Sequence, residues 1–435
     1  MRVPEILLIQ SEHKPGSLAK ILQAIGETGL VVEHLNAVRR DQDQTVWEVT
    51  LEMDENVDYG LYERIDALPN AKLLGKSDRV FDRHRGGKIM MVTRTRIETL
   101  QQLRDIYTPG VARVCLAIRK NPEEVWEYTN LRRTVGIITN GTAILGLGDI
   151  GPRAGLPVME GKAALMAKFV GLSGIPVLLD AKEPAQIIET VKRIAPSFGA
   201  IQLEDIAAPV CFEVEDALRD ALDMPLMHDD QHGTAVVTLA ALLSATQRTG
   251  HEIEHSVIGQ VGLGAAGIGI ARLLIAYGVK NVVGTDLNPN AVKRLESMGG
   301  KGGSLEDVMR QADIVIATTG KRGLIKPEMV QKDQLILALS NPEPEIEAGD
   351  ALAQGAAFAA DGRSINNFLG FPGLFRGALD AEAKRFTDAM FFAAANKLAE
   401  LAVGHDLVPD SLDIKVHEQV AKAVCEAAKS SGACD

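Results

Sequence analysis

The apolar positions fall into short runs and helical stripes that divide the chain. Residues 5–10, 30–38, 45–53 and 71–74 read as strands. Between them Leu18, Ile21, Leu22 and Ile25 share one face of a helix, and Leu61, Ile65 and Leu68 mark a second. The order is βαββαβ, that of the ferredoxin-like split unit. Leu7 and Ile9 recur at the two-residue period of a sheet covered on one face. A polar segment, Asp82-Arg83-His84-Arg85-Gly86-Gly87-Lys88, separates residues 1–82 from the rest.

Beyond that segment the pattern becomes α/β. Residues 134–139, 199–203 and 224–227 read as buried strands, and Asn140-Gly141 stands in a hairpin position after the first. Met159-Glu160-Gly161-Lys162 starts a helix over 163–170, and 235–245 is a long apolar helix. Strands at 256–261, 281–285, 313–317, 335–339 and 356–360 then follow in α/β units, which predicts a doubly wound sheet. Two helical stretches, near 383–403 and 416–429, close the chain.

Composition narrows the possibilities. The 435 residues suffice for two or three domains, and 46% hydrophobic with 24% charged residues is an ordinary globular balance. A net charge of −12 without a basic tract argues against nucleic acid or anionic membrane as a partner. No stretch reaches the roughly 18 uninterrupted apolar residues of a membrane span, and no signal-like apolar region opens the chain. Cys115, Cys211, Cys425 and Cys434 are scattered without CxxC spacing. They read as reduced thiols of a cytoplasmic protein rather than a disulfide framework or a zinc site.

Acidic pairs supply the first candidate chemistry. In Met227-His228-Asp229-Asp230-Gln231-His232-Gly233-Thr234-Ala235 two carboxylates follow a strand, and Glu204-Asp205 end another. Ligands bind at the carboxyl ends of strands in parallel α/β folds. Adjacent acids there are costly unless they hold a cation or share a proton. Two such strand ends supply three oxygen ligands to a hard divalent ion. Either pair by itself reads equally as a set of helix N-caps. Lys162, in the first turn of its predicted helix, faces the positive end of the helix dipole, so it is either solvated or held with a lowered pKa for chemistry. Tyr107 stands at a fixed break made by Thr108-Pro109-Gly110, for packing or for function.

Two segments match GxGxxG. Gly146-Leu147-Gly148-Asp149-Ile150-Gly151 is followed by Pro152 and Pro157, with no acid at the expected distance, and reads as a substrate-side loop. Gly262-Leu263-Gly264-Ala265-Ala266-Gly267 follows a buried strand and turns directly into a helix, and Asp286 ends the next strand 19 residues after Gly267. That register is the dinucleotide fingerprint. Its glycines allow close backbone approach, its helix N-terminus faces the pyrophosphate, and its acid accepts from ribose hydroxyls.

Six motifs stand in order: Tyr107-Thr108-Pro109-Gly110, Leu145-Gly146-Leu147-Gly148-Asp149, Glu160-Gly161-Lys162, Glu204-Asp205, Asp229-Asp230 with Gly233-Thr234-Ala235, and Ser340-Asn341-Pro342 with Asn366-Asn367. In that order they resemble the malic enzyme family from about residue 82 to the end. The length is similar to the short bacterial type, and the Pro15-Gly16-Ser17-Leu18 turn looks like the start of an ACT domain. The resemblance implies an ACT domain (1–82), a substrate domain (83–230, resuming at 367–435) and an NAD-binding Rossmann-type domain (231–366). It implies metal-dependent oxidative decarboxylation of (S)-malate to pyruvate and CO₂ with reduction of NAD. The rivals are a malolactic enzyme and a non-catalytic amino-acid-binding sensor.

The same resemblance assigns residues. Glu204, Asp205 and Asp230 would hold Mn²⁺ or Mg²⁺. Lys162, kept neutral by burial and the helix terminus, would take the C2 hydroxyl proton, Asp229 would orient it, and Tyr107 would protonate C3. Gly262, Gly264, Ala265, Ala266, Gly267, Asp286 and Asn341 would bind the dinucleotide. Larger members carry an arginine just before the GLGD loop, where this chain has Gly141-Thr142-Ala143, so Arg153, Asn341 and Asn367 are the candidates for gripping malate. Asp286, followed by Leu287-Asn288-Pro289-Asn290 with no nearer cation than Lys293, favours NAD over NADP. Residues 1–82 would form a homodimer or higher oligomer. They would either bind a small effector at His13-Lys14-Pro15-Gly16-Ser17 or serve dimerisation alone.

Overall fold

Runs of β-branched residues and glycine-bearing turns build the strands of this chain, and long apolar stripes build its helices. The computed structural model describes residues 2–54, 59–341, 344–362 and 365–435, so Pro342 of the Ser340-Asn341-Pro342 motif lies outside them. The chain divides into two units, the first ending at Lys88 and the second beginning at Ile89.

In the first unit β1 (Arg2–Glu12), α1 (Ser17–Gly26), β2 (Val32–Arg40), β3 (Gln44–Asp54), α2 (Leu61–Asp66) and β4 (Ala71–Lys76) follow in the predicted order. The sheet runs β2-β3-β1-β4 with every pairing antiparallel. Alternation places Leu7, Ile9, Val49 and Leu51 in one buried cluster with Ile21 and Ile25 of α1 and Leu61 and Ile65 of α2.

The second unit holds two parallel sheets. β5 (Thr134–Thr139), β6 (Ser173–Leu178), β7 (Ala200–Leu203) and β8 (Leu226–His228) run in the order β6-β5-β7-β8. β9 (Val257–Val261), β10 (Asn281–Thr285), β11 (Lys301–Gly302), β12 (Ile314–Ala317), β13 (Leu335–Ala338) and β14 (Phe358–Asp361) run β11-β10-β9-β12-β13-β14. That is the doubly wound dinucleotide order, with its switch point between β9 and β12. The hairpin expected at Asn140-Gly141 is absent. β5 pairs in parallel with β6 and β7, while the Asn140 side chain accepts from Thr142 and donates to the Ala181 carbonyl, curling the chain into a loop.

The helices that matter for the site are α3 (Leu100–Ile106), α4 (Val111–Lys120), α5 (Pro152–Val170), α6 (Val210–Ala221), α7 (Asp229–Thr249), α8 (Ala265–Tyr277), α9 (Pro289–Ser297), α10 (Phe371–Asp380), α11 (Asp388–Leu401) and α12 (Ile414–Ser430). α5 starts eleven residues before the predicted 163. Pro152 opens it, where a missing N–H costs nothing, and Pro157 is accommodated within it. Lys162 therefore lies mid-helix, and the dipole argument for it falls away. α7 is apolar nearly all round and is buried accordingly. α8 crosses it so closely that a Cβ on Gly269 would stand 2.5 Å from the Gln231 carbonyl oxygen. α10, unforeseen in the sequence, buries Phe371, Leu374 and Phe375 and meets Val420 and Val424 of α12 with Gly373 and Gly377, with Pro372 in its first turn. Among the described residues no helix is long and apolar enough to cross a membrane.

Candidate active site

Four carboxylates and a lysine converge where β7 and β8 end. Glu204 continues β7, its N–H donating to the Ile138 carbonyl. Asp205 turns away at φ 52°, a left-handed conformation that Asp adopts more readily than most residues. Asp229 and Asp230 occupy the first turn of α7, and α6 does not begin until Val210. Neither acidic pair is a set of N-caps: His228 and Pro209 hold those positions, without a side-chain cap bond. The Asp205 N–H donates to Asp230 Oδ2 (3.0 Å), tying the two strand ends together. One oxygen from each of Glu204, Asp205 and Asp230 lies within 4.8 Å of the others.

Lys162 reaches this cluster from α5. Its Nζ is 2.5 Å from Asp229 Oδ2 and 3.0 Å from Glu204 Oε1, and it lies 4.5 Å from the centroid of the Phe371 ring. Glu204 also accepts from Gln202 Nε2 at 2.5 Å. Glu204, Asp205, Asp229 and Lys162 are all buried, and Asp230, about a third exposed, marks the mouth. The packing around Asp229 demands a glycine at 233, since a Cβ there would meet Asp229 Oδ1 at 2.0 Å.

Electrostatics correct one expectation. Burial alone lowers the Lys162 pKa, but Asp229, Glu204 and Asp230 outweigh it and raise the lysine above its ordinary value. Facing these carboxylates its protonated form is favoured, rather than the neutral amine expected from burial. Asp205 is pushed up to about 9, first by burial and then by repulsion from Asp230 and Glu204. Its Oδ2 is buried without a hydrogen-bond partner. A cluster of hard oxygen donors, mutually repelling and with one oxygen orphaned, fits a hard divalent cation.

The second GxGxxG turn lies nearby. α8, which it opens, packs on α7 at Gln231, the residue after Asp230. Gly262 has φ 92°, and a Cβ on Gly267 would stand 1.9 Å from the Gly262 carbonyl oxygen, so the tight turn excludes side chains at both. Asp286 stands at the end of β10. Its Oδ2 accepts from the Leu263 N–H (2.7 Å) and its Oδ1 from the Asn288 N–H (2.8 Å), while Asn288 caps α9. The two accepted bonds leave lone pairs on the carboxylate for hydroxyl donors. The first GxGxxG does open a helix directly, contrary to expectation, because Pro152 serves as a start signal. It belongs nevertheless to the β5–β8 side, where the Ala143 N–H at its edge donates to the Asp205 carbonyl.

Other candidates stand apart from the cluster. Tyr107 is 68% exposed and no hydrogen bond to its hydroxyl is found among the described residues, so it is not a packing residue. Arg153 is exposed at the start of α5. Asn341, at the end of β13, donates to the Gly362 carbonyl (2.9 Å). Asn367 opens the short turn Asn367–Leu369 that leads to Phe371 and so to the Lys162 neighbourhood.

Sequence reasoning missed Glu215. It lies on α6, 3% exposed, and accepts from His228 N–H, Gln231 Nε2 and His232 Nε2. Burial raises its pKa, but His232 and His228 together more than offset this and hold the carboxyl down at about 2. The signal was present: Cys211, Val214, Glu215 and Leu218 form one helical stripe, and a charge on an apolar stripe needs a buried partner.

The chain matches the family models of the malic enzyme N-terminal domain over residues 86–219 and the malic enzyme NAD binding domain over 288–429. A model of the NAD binding domain of D-isomer specific 2-hydroxyacid dehydrogenases also matches, over 226–335. The chain is 50% identical to NAD-dependent malic enzyme 1 of Bacillus subtilis, across 97% of either chain. It is 40% identical to the NAD-dependent malic enzyme of Geobacillus stearothermophilus, across 98% of this chain and 94% of that one. Among solved structures, the malic enzyme of Pyrococcus horikoshii superposes with a TM-score of 0.75 at 40% identity, covering 80% of this chain and 88% of that one.

Proposed function

The chain belongs to the malic enzyme family, and from that premise we propose that it converts (S)-malate to pyruvate and CO₂ while reducing NAD, with Mn²⁺ or Mg²⁺ held by Glu204, Asp205 and Asp230. The observation that carries this reading is the buried Lys162–Asp229 pair beside three converging carboxylates, next to the helix that opens the dinucleotide turn. Held by Glu204, Asp205 and Asp230, a divalent cation would supply a Lewis acid for the substrate oxygens and would offset the carboxylates that favour protonated Lys162.

The residues divide the work as follows. Lys162, neutral once a bound cation offsets those carboxylates, takes the C2 hydroxyl proton, and Asp229, at 2.5 Å, orients the resulting ammonium and shares its proton. Arg153, Asn341 and Asn367 are assigned to malate. Gly262, Gly264, Ala265, Ala266 and Gly267 make room for the pyrophosphate, Asp286 accepts from the ribose hydroxyls, and Asn341 is assigned to the dinucleotide as well. Tyr107 is assigned protonation of C3. Leu100, Leu103, Ile106 and Leu116, on the helices flanking it, are exposed as well. An apolar surface of this kind marks an interface, and we assign its cover to a second copy in a homo-oligomer that brings Tyr107 to a carboxylate cluster.

Domain limits of 1–82, 83–230 with 367–435, and 231–366 follow from this reading, as does a cytoplasmic location. Residues 1–82 are read as an ACT domain of ferredoxin-like order, consistent with the antiparallel β2-β3-β1-β4 sheet. Its candidate effector site is the turn before α1, where Gly16 has φ 85°.

Malate, Mn²⁺ and NAD with the purified protein should raise absorbance at 340 nm. Lactate without NADH would make it malolactic, and no turnover would favour the sensor. Lys162→Ala should abolish hydride transfer, and near-normal turnover by that variant would sink the assignment. Removing residues 1–80 separates the two roles: loss of dimers by light scattering with unchanged kinetics favours dimerisation alone, and loss of a response to an amino acid or metabolite seen with the intact enzyme favours effector control.

A further inference from the structure

The first turn of α7 carries Asp229 and Asp230 yet has no side-chain cap of its own. Its conformation is set from outside, by Glu215. Oε1 of that carboxylate accepts from the His228 N–H (2.9 Å) and from His232 Nε2 (2.7 Å), and Oε2 accepts from Gln231 Nε2 (2.7 Å). The three donors bracket the twin aspartates, one residue before them and two directly after. Glu215 is thus bonded to both flanks of the pair. The turn is also confined on its other sides. The His232 ring stacks on Phe391 of α11 (centroids 4.9 Å, planes 10° apart), and the Gln231 carbonyl abuts Gly269 of α8.

We propose that Glu215 is a positioning residue for the cation site: by clasping His228, Gln231 and His232 it fixes where Asp230 meets Glu204 and Asp205, and so sets the affinity for the divalent ion. The inference rests on the cation-site reading above. The physical reason is that one buried carboxylate satisfies three buried donors. Without it each donor is orphaned, and the turn relaxes toward whatever partners it can find. A ligand in a three-carboxylate site is sensitive to such movement, because the hydrogen bonds that orient metal ligands typically carry about ten- to hundred-fold of the affinity.

The test measures Mn²⁺ binding directly, by the electron paramagnetic resonance signal of free Mn²⁺, alongside NAD affinity, far-UV circular dichroism and melting temperature. Glu215→Leu keeps the bulk and removes both acceptors, and should weaken Mn²⁺ at least ten-fold while NAD affinity stays within two-fold. Glu215→Gln retains Oε1 for His228 and His232, and its amide can donate to Gln231 once that side chain turns over. It should recover most of the Mn²⁺ affinity. Gln231→Met removes one donor of the three and should cost a few-fold. Should Glu215→Leu fail to fold, Gln231→Met and Glu215→Gln decide by the same readout. A lowered melting temperature with unchanged Mn²⁺ affinity would reduce Glu215 to a structural role and overturn the inference. A wild-type protein that binds no Mn²⁺ would instead overturn the cation-site reading on which it stands.

Discussion

Gly233→Ala tests the packing around Asp229 most sharply. A Cβ at 233 would stand 2.0 Å from Asp229 Oδ1 and 2.9 Å from its Cγ, whereas ordinary contact begins near 3.4 Å. Rotating the carboxylate does not clear the Cγ overlap, so the side chain must retreat by about 0.5 Å (3.4 minus 2.9) if it also rotates, and by about 1.4 Å (3.4 minus 2.0) if it does not. That retreat breaks the 2.5 Å contact with Lys162, which keeps only Glu204 at 3.0 Å. Removing one partner of a buried ion pair costs about 3–5 kcal/mol; with one anion left, roughly half of that is expected. A displacement of about 1 Å at a reacting group costs on the order of 10²-fold in rate. The first effect lowers stability by about 1.5–2.5 kcal/mol; the second predicts a fall in kcat/KM for malate of about 10²-fold, near 2.7 kcal/mol, with NAD affinity unchanged. Gly349→Ala is the control. It lies inside the helix Ala348–Ala353 with nothing within 4 Å of the new methyl, so activity should hold and the melting temperature should stay level or rise. Spectrophotometric kinetics on both variants decide the matter, and a Gly233→Ala enzyme with more than half the wild-type kcat/KM would refute the reasoning.

Three further outcomes follow from the geometry. Gly267→Ala places a methyl 1.9 Å from the Gly262 carbonyl oxygen and should weaken NAD at least about ten-fold in equilibrium titration while leaving Mn²⁺ binding intact. Asp286→Ser removes the charge that repels a 2′-phosphate and also the acceptor for the Leu263 and Asn288 N–H groups, so the NAD:NADP ratio of kcat/KM should fall together with NAD affinity; an unchanged ratio would assign discrimination elsewhere. For Asp205 the folded pKa of about 9 lies above the ordinary 3.8, so the folded chain retains a proton that the unfolded chain has released. Without divalent cation, stability should therefore fall as pH climbs from about 4 toward about 9. Asp205→Asn should flatten that slope and raise the melting temperature at pH 8, while abolishing Mn²⁺ binding.

The sequence by itself determined whatever depends on local period and on spacing along the chain. The βαββαβ order of residues 1–82, the α/β alternation after them, and the dinucleotide turn with its acid all lie within single runs of residues. There a two- or 3.6-residue period, or a glycine that must admit backbone, leaves a direct mark. The motifs also named the carboxylates and the lysine, because few residue types serve that chemistry. Tertiary structure decided what those groups do to one another. Lys162 looked like a first-turn lysine because Pro152 and Pro157 were read as breaks, yet α5 runs through them and delivers it mid-helix to Asp229. Its charge then depends on three anions distant in sequence rather than on its own helix. Tyr107 belongs to the same ordered set of motifs as the clustered residues but does not share their burial. Glu215 carries no motif at all. Its role arises because α6 lies against the start of α7, and a hydrogen bond to a residue 13 positions away leaves no trace in local pattern beyond one charge on an apolar stripe.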